Sequence, residues 1–154
     1  MIDIKKTSET LHDLVLVNND RVEGYEKAWS QTDDSFAELK ELFKEFADES
    51  RYYAEELHEK IKVLGSEDGI ESTTIPGKIY RVWMDIKFMF TGSDSKAILE
   101  SCEFGEDAIQ KAYNEALEER KYMDADTIRM IEWQCRSLKD SHDLIKEYRD
   151  KLRA

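Results

Sequence analysis

The chain has 154 residues, 40% of them hydrophobic and 38% charged, with six glycines, one proline and a net charge of −12. That length suits one domain whose core needs no disulfide or metal staple, and so few turn residues argue against a β-sandwich. The acidic balance repels a phosphate backbone, and no apolar run approaches the roughly 18 residues of a spanning helix, so neither nucleic acid nor membrane is an expected partner.

Leu11, Leu14, Val15, Val22, Tyr25 and Trp29 recur at intervals of three and four, which predicts a first helix from about Ser8 to Ser30. Asp33, Asp34 and Ser35 break the pattern, and Ser35 with Glu38 has the spacing of a capping box for a second helix. Phe36, Leu39, Phe43, Phe46, Tyr53, Leu57, Ile61 and Leu64 form its apolar face, and Gly65 is placed to stop it. Residues 65–93 read as an insert at one end of the fold, a loop followed by a short helix from Pro76 to about Phe90. Ile79, Val82, Trp83 and Ile86 mark the apolar side of that helix.

A third long helix uses Ile98, Cys102, Ile109, Ala112, Tyr113 and Ala116. After a turn at residues 123–126, a last helix buries Ile128, Ile131, Leu138, Ile145 and Leu152. Four helices of about 23–30 residues would each be roughly 35–45 Å long. Short connections between them predict an all-α, antiparallel, up-down-up-down four-helix bundle, with residues 1–154 as one domain. Trp29, Trp83 and Trp133 are expected to pack near helix ends. Cys102 and Cys135 lack metal-ligand spacing and read as reduced thiols, and residues 1–6 lack the apolar run of a signal peptide. A cytoplasmic location is the expectation.

Asn18, Ser50, Glu106 and His142 interrupt otherwise apolar faces, one on each long helix. Counting back from the turns brings them to about the same depth, and Gln134 joins Asn18 and Ser50 in this polar core layer. Two chemistries suit such a layer. A di-metal carboxylate bundle takes one Glu from each of two helices and a Glu-x-x-His from each of the others. Here Glu55 and His58 spell that motif, but helical geometry turns Glu55 roughly 150° away from the apolar face. The second motif is missing, because Lys139 stands three residues before His142. The inward candidates for metal ligands are Glu26, Glu106 and His142, with iron or another divalent cation as the cofactor. The other chemistry needs no cofactor: a hydrogen-bonded network that satisfies its own polar groups and sets helix register.

No P-loop, GxGxxG, GxSxG or HExxH occurs, so nucleotide binding and the common hydrolase mechanisms have no support, and the balance leans away from an enzyme. Lys78, Arg81 and Lys87 make a basic stripe on the insert, and Phe88, Met89 and Phe90 a locally wide apolar surface. The stripe reads as a solvated face or as a dock for another subunit, and the apolar surface as a means of self-association.

The run from Asn18 to Ala28 (NNDRVEGYEKA) resembles the opening helix of an uncharacterised bacterial family of small four-helix-bundle proteins grouped with the ferritin-like superfamily. The likeness continues through Tyr80–Lys87 (YRVWMDIK), Ile98–Asp107 (ILESCEFGED), Ser141-His142-Asp143 and Tyr148-Arg149-Asp150. The resemblance implies a ferritin-like bundle and no established activity. Ferritin-like relatives bind di-iron and perform oxidase or storage chemistry, and Lys139 departs from their ligand pattern. Two functional expectations follow. The first is a non-enzymatic structural or protein-interaction module, stress-related in role. The second is a metal-binding ferritin-like protein with a degenerate iron site and oxidase or storage activity.

Overall fold

A computed structural model describes residues 1–65, 77–86 and 94–153 of the chain. Among these residues the fold is all-helical, with no strand. Five α-helices follow in order: α1 (Ile4–Gln31), α2 (Ala37–Leu64), α3 (Lys78–Ile86), α4 (Ser95–Glu118) and α5 (Ala125–Arg153), with a one-turn 3₁₀ helix at Arg120–Tyr122. The expected loop up to Pro76, and the end of the insert from Lys87 through Phe88, Met89 and Phe90, lie outside the described residues.

Local chemistry explains most helix ends. The Asp3 carboxylate caps α1 by accepting from the Lys6 N–H at 3.0 Å, so the helix starts a turn earlier than Ser8. Gly65 ends α2 in the left-handed conformation at φ 77°, which glycine adopts without a Cβ penalty. Asp94 caps α4 through the Ala97 N–H at 2.8 Å. The capping box at Ser35 does not form. Asp33 instead takes the Ser35 N–H at 2.8 Å, a local turn that leaves Phe36 at the cap position with no side-chain bond.

The four long helices pack as α1 on α2, α2 on α5, α5 on α4 and α4 on α1. Every one of these seams is antiparallel. Asn18 and Arg21 of α1 meet Ser50 and Phe46 of α2, and they meet Tyr113 and Glu106 of α4. Gln110 of α4 meets Cys135 of α5, and Asp107 meets His142. Glu49 and Lys60 of α2 meet Ser141 and Asp124 on the α5 side.

These pairings correct the expected up-down-up-down order. Because α2 and α4 both run against α1, the chain order is up-down-down-up, and the connection between α2 and α4 must return the chain to the opposite end. Asp94, Ser95 and Lys96 accordingly share a surface cleft with residues 30–34 at the α1–α2 turn. The described part of the insert is therefore no end cap. α3 lies along the flank of α1 and α4, running parallel to α1, with Gly77 and Ile79 beside Asp13 and Tyr80 and Trp83 beside Asp20.

The core contains the expected apolar stripes, among them Leu11, Leu14, Phe43, Leu57, Ile98, Ile109, Ile131 and Leu138. Trp83 is buried, whereas Trp29, Trp133 and Leu152 are exposed, contrary to their expected packing roles. Trp29 instead carries the Lys40 ammonium over its ring at 4.1 Å, and Trp133 packs edge-on to Tyr53.

Candidate functional site

The centre of the molecule holds an arginine. Arg21 is 0% exposed, three residues after Asn18 and four before Tyr25, so all three project from one face of α1. Its Nε donates to Glu106 Oε1 at 2.7 Å and its Nη2 to Glu106 Oε2 at 3.4 Å. The two bonds form a bidentate clamp on a carboxylate that is itself 1% exposed. Its Nη1 faces three acceptors on α2: Ser50 Oγ at 2.8 Å, the Phe46 carbonyl at 3.1 Å and Glu49 Oε1 at 3.0 Å. The Tyr25 hydroxyl donates to Glu106 Oε1 at 2.9 Å, and the Tyr25 and Phe46 rings sit 5.0 and 5.3 Å from the guanidinium carbon.

The planar fork suits this place in a way that lysine would not, because it spreads one charge over five N–H donors. Burial by itself would lower the guanidinium's pKa. The Glu106 charge, with Tyr25 and Glu49, reverses that and leaves it above the usual arginine value, so Arg21 stays cationic. Burial pushes the Tyr25 hydroxyl and the Cys102 thiol well above their ordinary ranges, and the Glu106 carboxylate adds to both shifts. Neither group is an anion in this core.

A chain of hydrogen bonds leads outward from Arg21. Ser50 Oγ donates to Asn18 Oδ1 at 2.9 Å, and Asn18 Nδ2 donates to the Tyr113 hydroxyl at 2.9 Å. Tyr113 donates to Gln134 Oε1 at 2.7 Å, and Gln134 Nε2 to Glu56 Oε1 at 3.0 Å. Every donor points the same way, from the guanidinium toward the Glu56 carboxylate, so each bond polarises the next. Asn18, Ser50 and Gln134 are each 0% exposed and are joined in this one network, which ties α1, α2, α4 and α5 together.

Glu26, Glu106 and His142 are not brought together. Glu26 lies on the surface and pairs with Arg51 at 3.0 Å. Glu106 is committed to Arg21 and Tyr25. His142 turns to the α4–α5 surface, with Nε2 2.5 Å from Asp107 Oδ1 and Nδ1 3.1 Å from Asp143 Oδ1. Glu55 and His58 are exposed. Among the described residues, no group of three or more His, Cys, Asp or Glu side chains is placed to hold a metal ion. The residue that organises the core, Arg21, is absent from the sequence-based candidates, although its spacing from Asn18 and Tyr25 places it on the buried stripe.

A family model described as a domain of unknown function, DUF2383, matches residues 6–119. The chain belongs to that family. No curated protein matches its sequence. The matched segment of this DUF2383 chain contains Arg21, Glu49, Ser50 and Glu106, the whole of the central clamp, and stops before Gln134 and His142 on α5.

Proposed function

We propose that this chain is a ferritin-like four-helix bundle without a metal-dependent activity, acting as a structural module through protein association. The arrangement supports the ferritin-like reading, because four antiparallel neighbours with a single long crossover characterise that class of bundle. Arg21 is the observation that carries the rest. In a di-metal bundle, carboxylates from the four helices converge on cations at the centre. Here Glu49 and Glu106 converge on a guanidinium supplied by α1, a cation built into the chain that already occupies the acceptor atoms a metal would need. The side chains present therefore do not fit a shared metal.

The experiment is metal loading of untagged protein with Fe(II), Mn(II) or Zn(II) under anaerobic conditions, read by mass spectrometry, with melting temperature measured with and without chelator. The expected result is no stoichiometric ion and an unchanged melting temperature. One or two ions per chain, lost in Glu106→Ala, would overturn this reading. They would favour the alternative of a degenerate iron site with oxidase or storage activity, whose support is that two carboxylates from different helices do meet at one point.

A further inference from the structure

The basic stripe of the insert and an apolar, acidic groove lie on opposite sides of the molecule. α3 sits against α1 and α4. It leaves Lys78, Arg81 and Met84 exposed, three residues at successive intervals of three on one helix face. Across the molecule, α2 and α5 pack least closely of the four seams and leave a groove of about 480 Å³. Tyr52, Val63 and Met130 line it, with Glu55, Glu56 and Glu59 among them. Tyr52 is 58% exposed and Val63 76%, so apolar side chains stand open to solvent in the groove between its carboxylates. Lys60, the cation in the lining, is paired with Asp124 at 3.1 Å, and Lys62 reaches Glu59 at 3.6 Å, an exposed contact that leaves the groove net negative through Glu55 and Glu56.

We propose that α3 of one copy of this chain docks in the α2–α5 groove of a second copy. Met84 meets the apolar lining, and Lys78 and Arg81 meet the Glu55 and Glu59 carboxylates. The inference rests on the association reading above and names the partner as the chain itself. One chain carries both halves of a complementary pair, a cationic ridge and an anionic groove, on opposite faces. The net charge of −12 opposes approach at long range. At physiological ionic strength, however, charges are screened beyond about 8 Å, so the facing patches decide the contact. Because ridge and groove occupy opposite faces, the contact is head-to-tail and leaves a free ridge and a free groove at the ends of each pair. Such an interface grows into a ring or a row rather than closing as a two-fold dimer.

The test is sedimentation velocity and light scattering on the full chain as wild type, as Lys78→Glu/Arg81→Glu, as Glu55→Lys/Glu59→Lys, and as all four substitutions together. All four sites are exposed, so circular dichroism should show each variant folded. Wild type is expected to associate with rising concentration, and each pair of reversals to weaken association by about tenfold or more. The fourfold variant, whose net charge returns to that of wild type, is expected to recover it. Recovery separates local pairing from overall repulsion, because the groove reversals alone reduce the net charge and yet should weaken assembly. A wild type that stays monomeric up to its solubility limit would overturn the proposal. Association that none of the reversals changes would overturn this interface while leaving association itself in place. Metal uptake, which would defeat the broader reading, is measured separately.

Discussion

Glu106 and Asp107 are consecutive carboxylates on α4, and each meets a basic side chain from another helix, yet they sit in opposite environments. Glu106 points inward, 1% exposed, and is clamped by Arg21 with Tyr25 as a further donor. Asp107 is rotated about 100° around the helix, 62% exposed, and meets His142 on the α4–α5 surface. In water an ion pair gains little over its hydrated partners, whereas in the core an unpaired carboxylate has no substitute for the one it loses. One step along the helix therefore separates an interaction that the fold depends on from one that adjusts it.

The sharpest way to break that comparison is Arg21→Ala. It strands Glu106 in the core, and unfolding in urea should show a loss of about 3–5 kcal/mol. Arg21→Lys should fail to restore most of it, since one ammonium cannot serve Glu106, Ser50, Glu49 and the Phe46 carbonyl together. Replacing Arg21 by Met and Glu106 by Leu in one chain should recover part of the loss, because that removes the pair instead of orphaning one member. A cost for Arg21→Ala below about 1 kcal/mol, the scale of an exposed pair, would mean the clamp is no more than a surface bridge.

A middle-sized effect is expected where α3 is strapped to α1. The buried Asp13 carboxylate accepts from the Gly77 N–H at 2.8 Å and from the Ile79 N–H at 3.2 Å, capping α3 from another helix. Asp20 accepts from the Tyr80 hydroxyl and Trp83 Nε1, each at 2.9 Å. Burial raises the Asp13 pKa, and the backbone donors at Gly77, Tyr80 and Ile79 only partly offset it. A Cβ on residue 77 would lie 2.3 Å from Asp13 Oδ2 and 2.8 Å from its Cγ, closer than side chains tolerate. Gly77→Ala should therefore cost about 1–3 kcal/mol. It should also speed hydrogen exchange in α3 without changing exchange at the Arg21 clamp. Uniform loss of protection would show that α3 and the core open as one unit.

The smallest effect belongs to the surface pair. Burial alone would lower the His142 pKa, but hydrogen bonds to Asp143 and Asp107 and their charges raise it above its ordinary value of 6.5. A raised folded-state pKa stabilises the fold fully below about pH 6.5, and the contribution fades as pH climbs through the folded-state value. His142→Ala should cost less than about 1 kcal/mol at pH 5.5. The difference between variant and wild type in thermal denaturation should shrink toward pH 8.5. A gap that widens with pH would reverse the assigned protonation.

Residue patterning made the helices legible. Leu11, Leu14, Phe43, Leu57, Ile98, Ile109, Ile131 and Leu138 could be placed inside because a 3.6-residue period puts them on one stripe each, whatever the helices pack against. Asn18 and Ser50 stand on those stripes for the same reason, and both are buried. Arg21 was not, because a charged side chain beside Asp20 and Glu23 reads as solvated until its burial is known. His142 misled in the other direction: a residue near the edge of its stripe can resolve to either side, and the His142 ring meets the carboxylates of Asp107 and Asp143 at the surface.

The sequence by itself determined an all-helical fold, its long helices, most of its apolar core and the membership of Asn18, Ser50 and Glu106 in a buried polar layer, because these depend on periodicity within single segments. Tertiary structure alone decided the direction of α4, the place of α3 and the partner of Glu106. Chain direction after a connection running from Gly65 to Asp94 is not encoded in the period of the helices it joins. The choice between Arg21 and a metal at the centre depends on which side chains from four separate segments meet there, and only packing brings those segments together.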